Sequence, residues 1–85
     1  MNITILYFAS LREGLGTSRE TLAVPDGVFS LGQLRAWLRA RGGRWEELLA
    51  DGRAVRIALD QVMALPDTRL RDGAEVAFFP PVTGG

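Results

Sequence analysis

Phe29-Ser30-Leu31-Gly32-Gln33-Leu34-Arg35-Ala36-Trp37-Leu38-Arg39-Ala40-Arg41-Gly42-Gly43 is the stretch that decides the fold. Ser30 stands three residues before Gln33, the spacing of a capping box, in which side chains satisfy backbone N–H groups that the first helical turn leaves unpaired. Phe29 before the cap and Leu34 after it are spaced for a hydrophobic staple. Leu31, Leu34 and Leu38 fall on one helical face with Trp37 beside them, while Arg35 and Arg39 lie elsewhere on the cylinder. Gly42-Gly43 ends the helix at about residue 41. Such a helix is stable only if its leucine face is covered by another apolar layer.

The flanking sequence supplies that layer as strands. Upstream, residues 3–8 (Ile-Thr-Ile-Leu-Tyr-Phe) are β-branched and aromatic. Ile3, Ile5 and Tyr7 take one face; Leu6 and Phe8 take the other. Residues 9–14 suit a short helical turn ended by Gly14 and Gly16, and residues 19–24 form a weaker second strand stopped by Pro25-Asp26-Gly27. The two strands should make an antiparallel hairpin. Downstream, Trp45 to Leu49 suits one more helical turn. Residues 54–59 alternate, with Val55, Ile57 and Leu59 inward and Arg56 outward, and Glu75-Val76-Ala77-Phe78-Phe79 forms the last strand after the Asp72-Gly73 turn. The order β, β, α, β, short β, β implies an α+β fold of the β-grasp (ubiquitin-like) type: a mixed sheet packed on one main helix. Residues 1–79 make the domain and residues 80–85 an extended tail.

Composition excludes much chemistry. The chain has neither Cys nor His, which removes disulfides, zinc sites, Cys or His nucleophiles and a histidine base. Ten basic residues balance ten acidic ones, so there is no basic excess of the kind nucleic-acid binding uses. No apolar run approaches the ~20 residues that span a bilayer, and the opening residues lack a basic n-region. The expectation is a cytoplasmic protein that binds neither nucleic acid nor membrane. Asp60, Asp67, Asp72 and Glu75 cluster in sequence, but Asp67 and Asp72 sit beside Pro66 and Gly73, and the group reads as turn formation and a solvated edge rather than as a metal or acid–base site. Gly14-x-Gly16 is too short for a phosphate loop. All ten basic residues are Arg. Compositional bias accounts for that, yet it also means that no side-chain amine here could capture an activated carboxyl group.

The remaining candidate is the end, Pro80-Pro81-Val82-Thr83-Gly84-Gly85. Two prolines fix φ and cannot donate to a ladder, so the chain should leave the sheet stiff and extended. Six residues reach roughly 20 Å at ~3.3 Å each. Two terminal glycines can thread a channel too narrow for a Cβ and bring a carboxylate close to another protein's active site. A bare Gly-Gly end is ordinarily a frayed tail; here it follows a strongly hydrophobic strand directly and is stiffened at its base. Phe8, Phe79 and Met63 form either an apolar docking patch at the tail's root or an edge packed beneath a loop.

The run Asp72-Gly73-Ala74-Glu75-Val76-Ala77-Phe78-Phe79-Pro80-Pro81-Val82-Thr83-Gly84-Gly85 closely resembles the end of the small subunit of molybdopterin synthase (the MoaD family). Leu6-Tyr7-Phe8-Ala9, Leu11-Arg12-Glu13 with Gly16, Arg44-Trp45 and Leu59-Asp60-Gln61 fit as well, with Asp60 where relatives often carry Asn. The resemblance implies a non-catalytic sulfur carrier that binds no cofactor of its own. A partner related to the ubiquitin activator would use ATP to adenylate Gly85, and sulfur would then give a C-terminal thiocarboxylate. The tail would enter the large synthase subunit in a heterotetramer and donate sulfur to cyclic pyranopterin monophosphate for molybdenum cofactor biosynthesis. By the same resemblance, Gly84 supplies clearance in the partner's channel. Phe8, Met63, Phe79, Pro80, Pro81, Val82 and Thr83 meet the partner, with Arg12 as a rim contact. The alternatives are a carrier for thiamin, tRNA thiolation or cysteine synthesis, or an interaction domain with an inert tail.

Overall fold

The computed structural model describes residues 1–81. Eight elements follow in order: β1 (Asn2–Tyr7), α1 (Ala9–Leu15), β2 (Arg19–Ala23), α2 (Leu31–Arg39), α3 (Gly43–Leu48), β3 (Arg56–Leu59), β4 (Val62–Met63) and β5 (Glu75–Phe79). The strands form one mixed sheet in the order β2-β1-β5-β3-β4. β1 and β5 are parallel at its centre, and every other pairing is antiparallel. This is the expected α+β β-grasp arrangement, with α1 and α3 as additions to the main helix.

Alternation along the strands divides the sheet into two faces. Ile3, Ile5 and Tyr7 of β1, Val76 and Phe78 of β5 and Ile57 of β3 are buried together with Leu31, Leu34 and Leu38 of α2. Each fully buried leucine contributes about 1.5–3 kcal/mol of transfer free energy, which explains why so short a helix holds its place. The cap forms as expected on one side: Gln33 N–H donates to Ser30 Oγ at 3.2 Å. The Gln33 side chain instead reaches one residue further back, accepting from Phe29 N–H at 2.8 Å.

The staple does not form as the spacing suggested. Phe29 is exposed, and its ring carries the Arg69 guanidinium at 4.8 Å rather than packing into the core. The reason is the neighbouring chain: Leu70 N–H donates to Phe29 C=O and Leu31 N–H to Thr68 C=O, so the 68–70 segment occupies that entry. The helix also ends earlier than expected, at Arg39. Gly42 and Gly43 both adopt positive φ, at 79° and 55°, and redirect the chain into α3, which begins at Gly43. β3 begins at Arg56, two residues later than the alternation implied. No helix among the described residues is long and apolar enough to cross a membrane.

Candidate functional site

β5 ends at Phe79, and Pro80 and Pro81 follow it outside regular structure. Because β5 is the central strand, the chain leaves the sheet from its middle rather than from an edge. The root of the tail is fixed from the β1 side. Phe8 N–H donates to Phe78 C=O at 3.1 Å, extending the parallel ladder by one bond past Tyr7.

Phe8 and Phe79 lie on the sheet face opposite the helices and meet there, with ring centroids 6.4 Å apart in an edge-to-face arrangement. Phe8 is 45% exposed. Met63, 52% exposed, is on the same face but two strands away from β5. The registers explain the spacing. Leu6 pairs with Ala77, Ala77 with Ala58, and Ala58 with Met63. One row across four strands therefore reads Leu6, Ala77, Ala58, Met63: a floor of small residues with large apolar groups at its ends. The next position of β3, Arg56, pairs with Phe79 and places a cation at the tail's root. Arg12 is exposed on α1, in the helix that starts one residue after Phe8. The structure thus brings Phe8, Phe79, Pro80 and Pro81 together, with Met63 at the far end of the same face. Val82, Thr83, Gly84 and Gly85 lie outside the described residues.

Three features at this site were not readable from pattern. Ala9 holds φ at 52°, a left-handed conformation that costs a non-glycine residue about 1–2 kcal/mol. It turns the chain sharply from β1 into α1 just after Phe8. Asp60 and Gln61, at φ 48° and 69°, close the β3–β4 turn. Asp60 suits such a position and also accepts from Glu75 N–H at 2.9 Å and from Arg71 at 2.7 Å. Asp72 accepts from Asn2 N–H at 2.7 Å. These two acids of the Asp60–Glu75 stretch are turn and edge partners, and no group of three or more metal-binding side chains occurs among the described residues.

Behind the site, on the buried face, a polar network locks the end of β1. The Tyr7 hydroxyl donates to Glu20 at 2.7 Å, and Arg41 donates two bonds to the same carboxylate at 2.9 and 3.0 Å. The Arg41 guanidinium lies 4.4 Å from the Trp45 ring centre, and Trp45 packs edge-on to Tyr7 at 5.3 Å. Burial, followed by the hydrogen bond to Glu20, pushes the Tyr7 phenol far above its ordinary range, so it stays a neutral donor. Burial alone would raise the Glu20 carboxyl; the bonds from Arg41 and Tyr7 outweigh it and hold the group below its ordinary value. This network accounts for Trp45, which caps the buried end of β1. A groove of about 680 Å³ runs along the β3–β4 edge, lined by Val55, Ile57, Leu59, Val62 and Leu65 together with the polar side chains of Arg35, Arg56 and Thr68.

A family model described as the ThiS family matches residues 5–85. The chain belongs to the ThiS family. It is 41% identical over 83 residues to the molybdopterin synthase sulfur carrier subunit of Escherichia coli, covering 98% of this chain and 99% of that one. It is 31% identical, with the same coverage, to the subunit of that name from Haemophilus influenzae. Among solved structures it resembles SAMP1 from Haloferax volcanii, with a TM-score of 0.80 at 24% identity over both full chains. It also resembles a chain in the complex of subunits 1 and 2 of the molybdopterin-converting factor from Helicobacter pylori, with a TM-score of 0.68 at 24% identity over both full chains. Those structural likenesses establish the β-grasp fold. The ThiS-family match runs through Gly85, so it includes the four residues beyond the described part of the tail.

Proposed function

We propose that this chain is the sulfur carrier subunit of a molybdopterin synthase. The observation that carries the reading is the composite at the tail's root: a Pro-Pro-Val-Thr-Gly-Gly end issuing from the central strand beside the Phe8–Phe79 pair. Its support is 41% identity along nearly the whole length of a relative that bears that name. The Helicobacter pylori structural relative was solved as a complex of subunits 1 and 2, which supports a large-subunit partner for this chain.

In this reading the Gly85 carboxylate attacks the α-phosphorus of ATP on an activating enzyme. Pyrophosphate leaves, and an acyl adenylate forms. A carboxylate is a poor electrophile; the adenylate is a good one, and sulfur from a donor displaces AMP to give the thiocarboxylate. Inside the large subunit, the thiocarboxylate sulfur attacks a carbon of cyclic pyranopterin monophosphate and displaces an oxygen leaving group; water then hydrolyses the resulting thioester, so the sulfur stays on the pterin and the carrier leaves with its carboxylate restored. Gly84 and Gly85 give the backbone clearance to reach both active sites. Phe8, Phe79 and Met63 dock the outer face, Pro80 and Pro81 aim the tail, Val82 and Thr83 line its passage, and Arg12 contacts the rim. The acid–base side chains belong to the large subunit. The expected setting is a cytoplasmic heterotetramer, and ATP is bound by the activating enzyme rather than by this chain.

The test is intact-mass measurement after incubation with an activating enzyme, ATP and a sulfur source. The expected result is replacement of one oxygen by sulfur on the C-terminal peptide, abolished by deletion of Gly85 with the fold retained. A Gly85-deleted chain that still carries sulfur would sink the reading. Reconstitution with the large subunit and cyclic pyranopterin monophosphate separates this carrier from those of thiamin, tRNA thiolation or cysteine synthesis, because only this one yields molybdopterin.

A further inference from the structure

Ten arginines supply all the cationic side chains of this chain, and most are engaged within the fold. Arg35 donates to the carbonyls of Leu49, Ala50 and Arg53. Arg39, Arg41, Arg53 and Arg71 pair with Asp51, Glu20, Glu47 and Asp60. Arg69 lies over the Phe29 ring. Arg12, Arg19, Arg44 and Arg56 differ: all are exposed, and none makes a side-chain hydrogen bond or ion pair among the described residues.

Two of these stand on the open face of the sheet. Arg19 pairs with Leu6 across the β1–β2 ladder, so it extends the outer row of Leu6, Ala77, Ala58 and Met63. Arg56 pairs with Phe79 one row nearer the tail. β2 and β3 are separated by β1 and β5, which puts Arg19 and Arg56 roughly 15 Å apart at ~4.8 Å per strand, with the Phe8–Phe79 pair between them. The acids of this face lie at its other end, where Glu75 pairs with Thr4 and Asp60 is already held by Arg71. Glu20 is turned to the buried side, on Tyr7 and Arg41. Charge on an edge strand discourages edge-to-edge pairing, which would account for Arg19 alone. It does not account for Arg56, because β3 is flanked by β5 and β4. Nor does Arg56 rest on the neighbouring Phe79 ring: the rings that carry a guanidinium among the described residues are Trp45 and Phe29.

We propose that Arg56 and Arg19 are charge-recognition residues of the docking face, and that the large synthase subunit meets them with two separate carboxylates, set about 15 Å apart on either side of the Phe8–Phe79 pair. The inference rests on the carrier reading above and names the chemistry of the partner surface. A partner seated on Phe8 and Phe79 also covers Arg56, whose Cα lies about 5 Å from that of Phe79. A guanidinium removed from water without a counter-charge is strongly unfavourable, and its own chain offers it none, so the opposing surface must supply the carboxylate. One acid cannot serve both arginines, because their separation exceeds the ~8 Å screening length at physiological salt. The chain's own acids at the far end of the face fix the sense of docking: an acidic rim is attracted at the tail's root and repelled near Glu75. Charges placed in this way act on the rate of encounter and on the choice of partner more than on affinity.

The test is the association rate of the full chain with the large synthase subunit, measured by stopped flow at ~0.15 M and at ~1 M salt, where the screening length falls to about 3 Å. The variants are Arg56→Gln, Arg19→Gln, the two combined, Arg56→Glu and Arg44→Gln. Arg44 is exposed on α3, on the helix side of the sheet, and controls for net charge. At the lower salt Arg56→Gln and Arg19→Gln should each slow association by about two- to fivefold, and the combined variant by the product of the two. Arg56→Glu should slow it by at least about tenfold, because like charges then face each other. These losses should shrink toward none at the higher salt, Arg44→Gln should match wild type, and urea midpoints should be unchanged. Wild-type association in Arg56→Gln and Arg19→Gln overturns the proposal, as does a loss that survives high salt or an equal loss in Arg44→Gln. A loss at only one of the two positions overturns the two-carboxylate arrangement. A wild-type chain that does not bind the large subunit at all overturns the carrier reading itself, an outcome distinct from every variant comparison.

Discussion

Phe78 and Phe79 are consecutive residues of the same strand, and the sheet gives them opposite tasks. Phe78 is completely buried, its ring stacked near Tyr7 at 6.2 Å over the leucines of α2. Phe79 is half-buried on the outer face against the exposed Phe8. The chemistry of the two side chains is identical, so the difference comes wholly from the two-residue period of the strand and from which face the helices cover. The covered face is where this small protein gets its stability. The open face, next to the tail, is free to be shaped for another molecule.

Substitutions can break that contrast one piece at a time. The largest effect should come from Phe78→Ala, which empties the middle of the core. It should cost about 3–5 kcal/mol, read as a lowered urea midpoint or as loss of the cooperative transition. On the carrier reading proposed above, Phe79→Asp should instead retain the fold and weaken binding to a large synthase subunit by roughly 30-fold, the scale of a central aromatic anchor. Calorimetric titration together with urea unfolding checks both halves, and a stability loss equal to that of Phe78→Ala would place Phe79 in the core. Tyr7→Phe removes one hydrogen bond to a charged acceptor while Arg41 still holds Glu20, and should cost about 1–2 kcal/mol.

The same network predicts a pH dependence. Glu20 is held below its ordinary carboxyl value of 4.5. Its contribution is therefore present above that value and lost as the pH falls through the lower, folded-state one. Unfolding midpoints measured down a pH series should show a shallower acid decline for Glu20→Gln than for wild type. The smallest effect belongs to Ala9→Gly. Relief of about 1–2 kcal/mol of left-handed strain is offset by about 0.5–1 kcal/mol of added backbone entropy, so the change should stay near or below 1 kcal/mol. A loss larger than that would show that the Ala9 methyl packs against something the backbone argument ignores.

The outer face was only half legible. Alternation puts Leu6 and Phe8 on the second face of β1, and the structure agrees. The meeting of Phe8 with Phe79 depends on β1 lying parallel beside β5, and these strands are more than sixty residues apart in the chain. Alternation says which face a residue takes but not which strand lies next to it. Arg56 was read as merely outward, and only the β3–β5 register put it at the tail's root. Phe29 misled because the staple spacing is local, while the segment at residues 68–70 that displaces it is not. Ala9 carried no signal at all, since alanine is not a residue that favours positive φ.

By itself, then, the sequence determined the element order, the leucine face of α2, the division of β1 into an Ile3, Ile5, Tyr7 face and a Leu6, Phe8 face, and a proline-stiffened Gly-Gly end. All of these follow from forces acting within a few residues: periodicity, capping and fixed φ angles. Only the tertiary structure decided that the tail issues from the centre of the sheet, that Phe8 stands beside it, and that a guanidinium lies across from Phe79. Those placements come from pairing strands distant in the chain, where loop closure and the burial of one whole face against α2 select a single register.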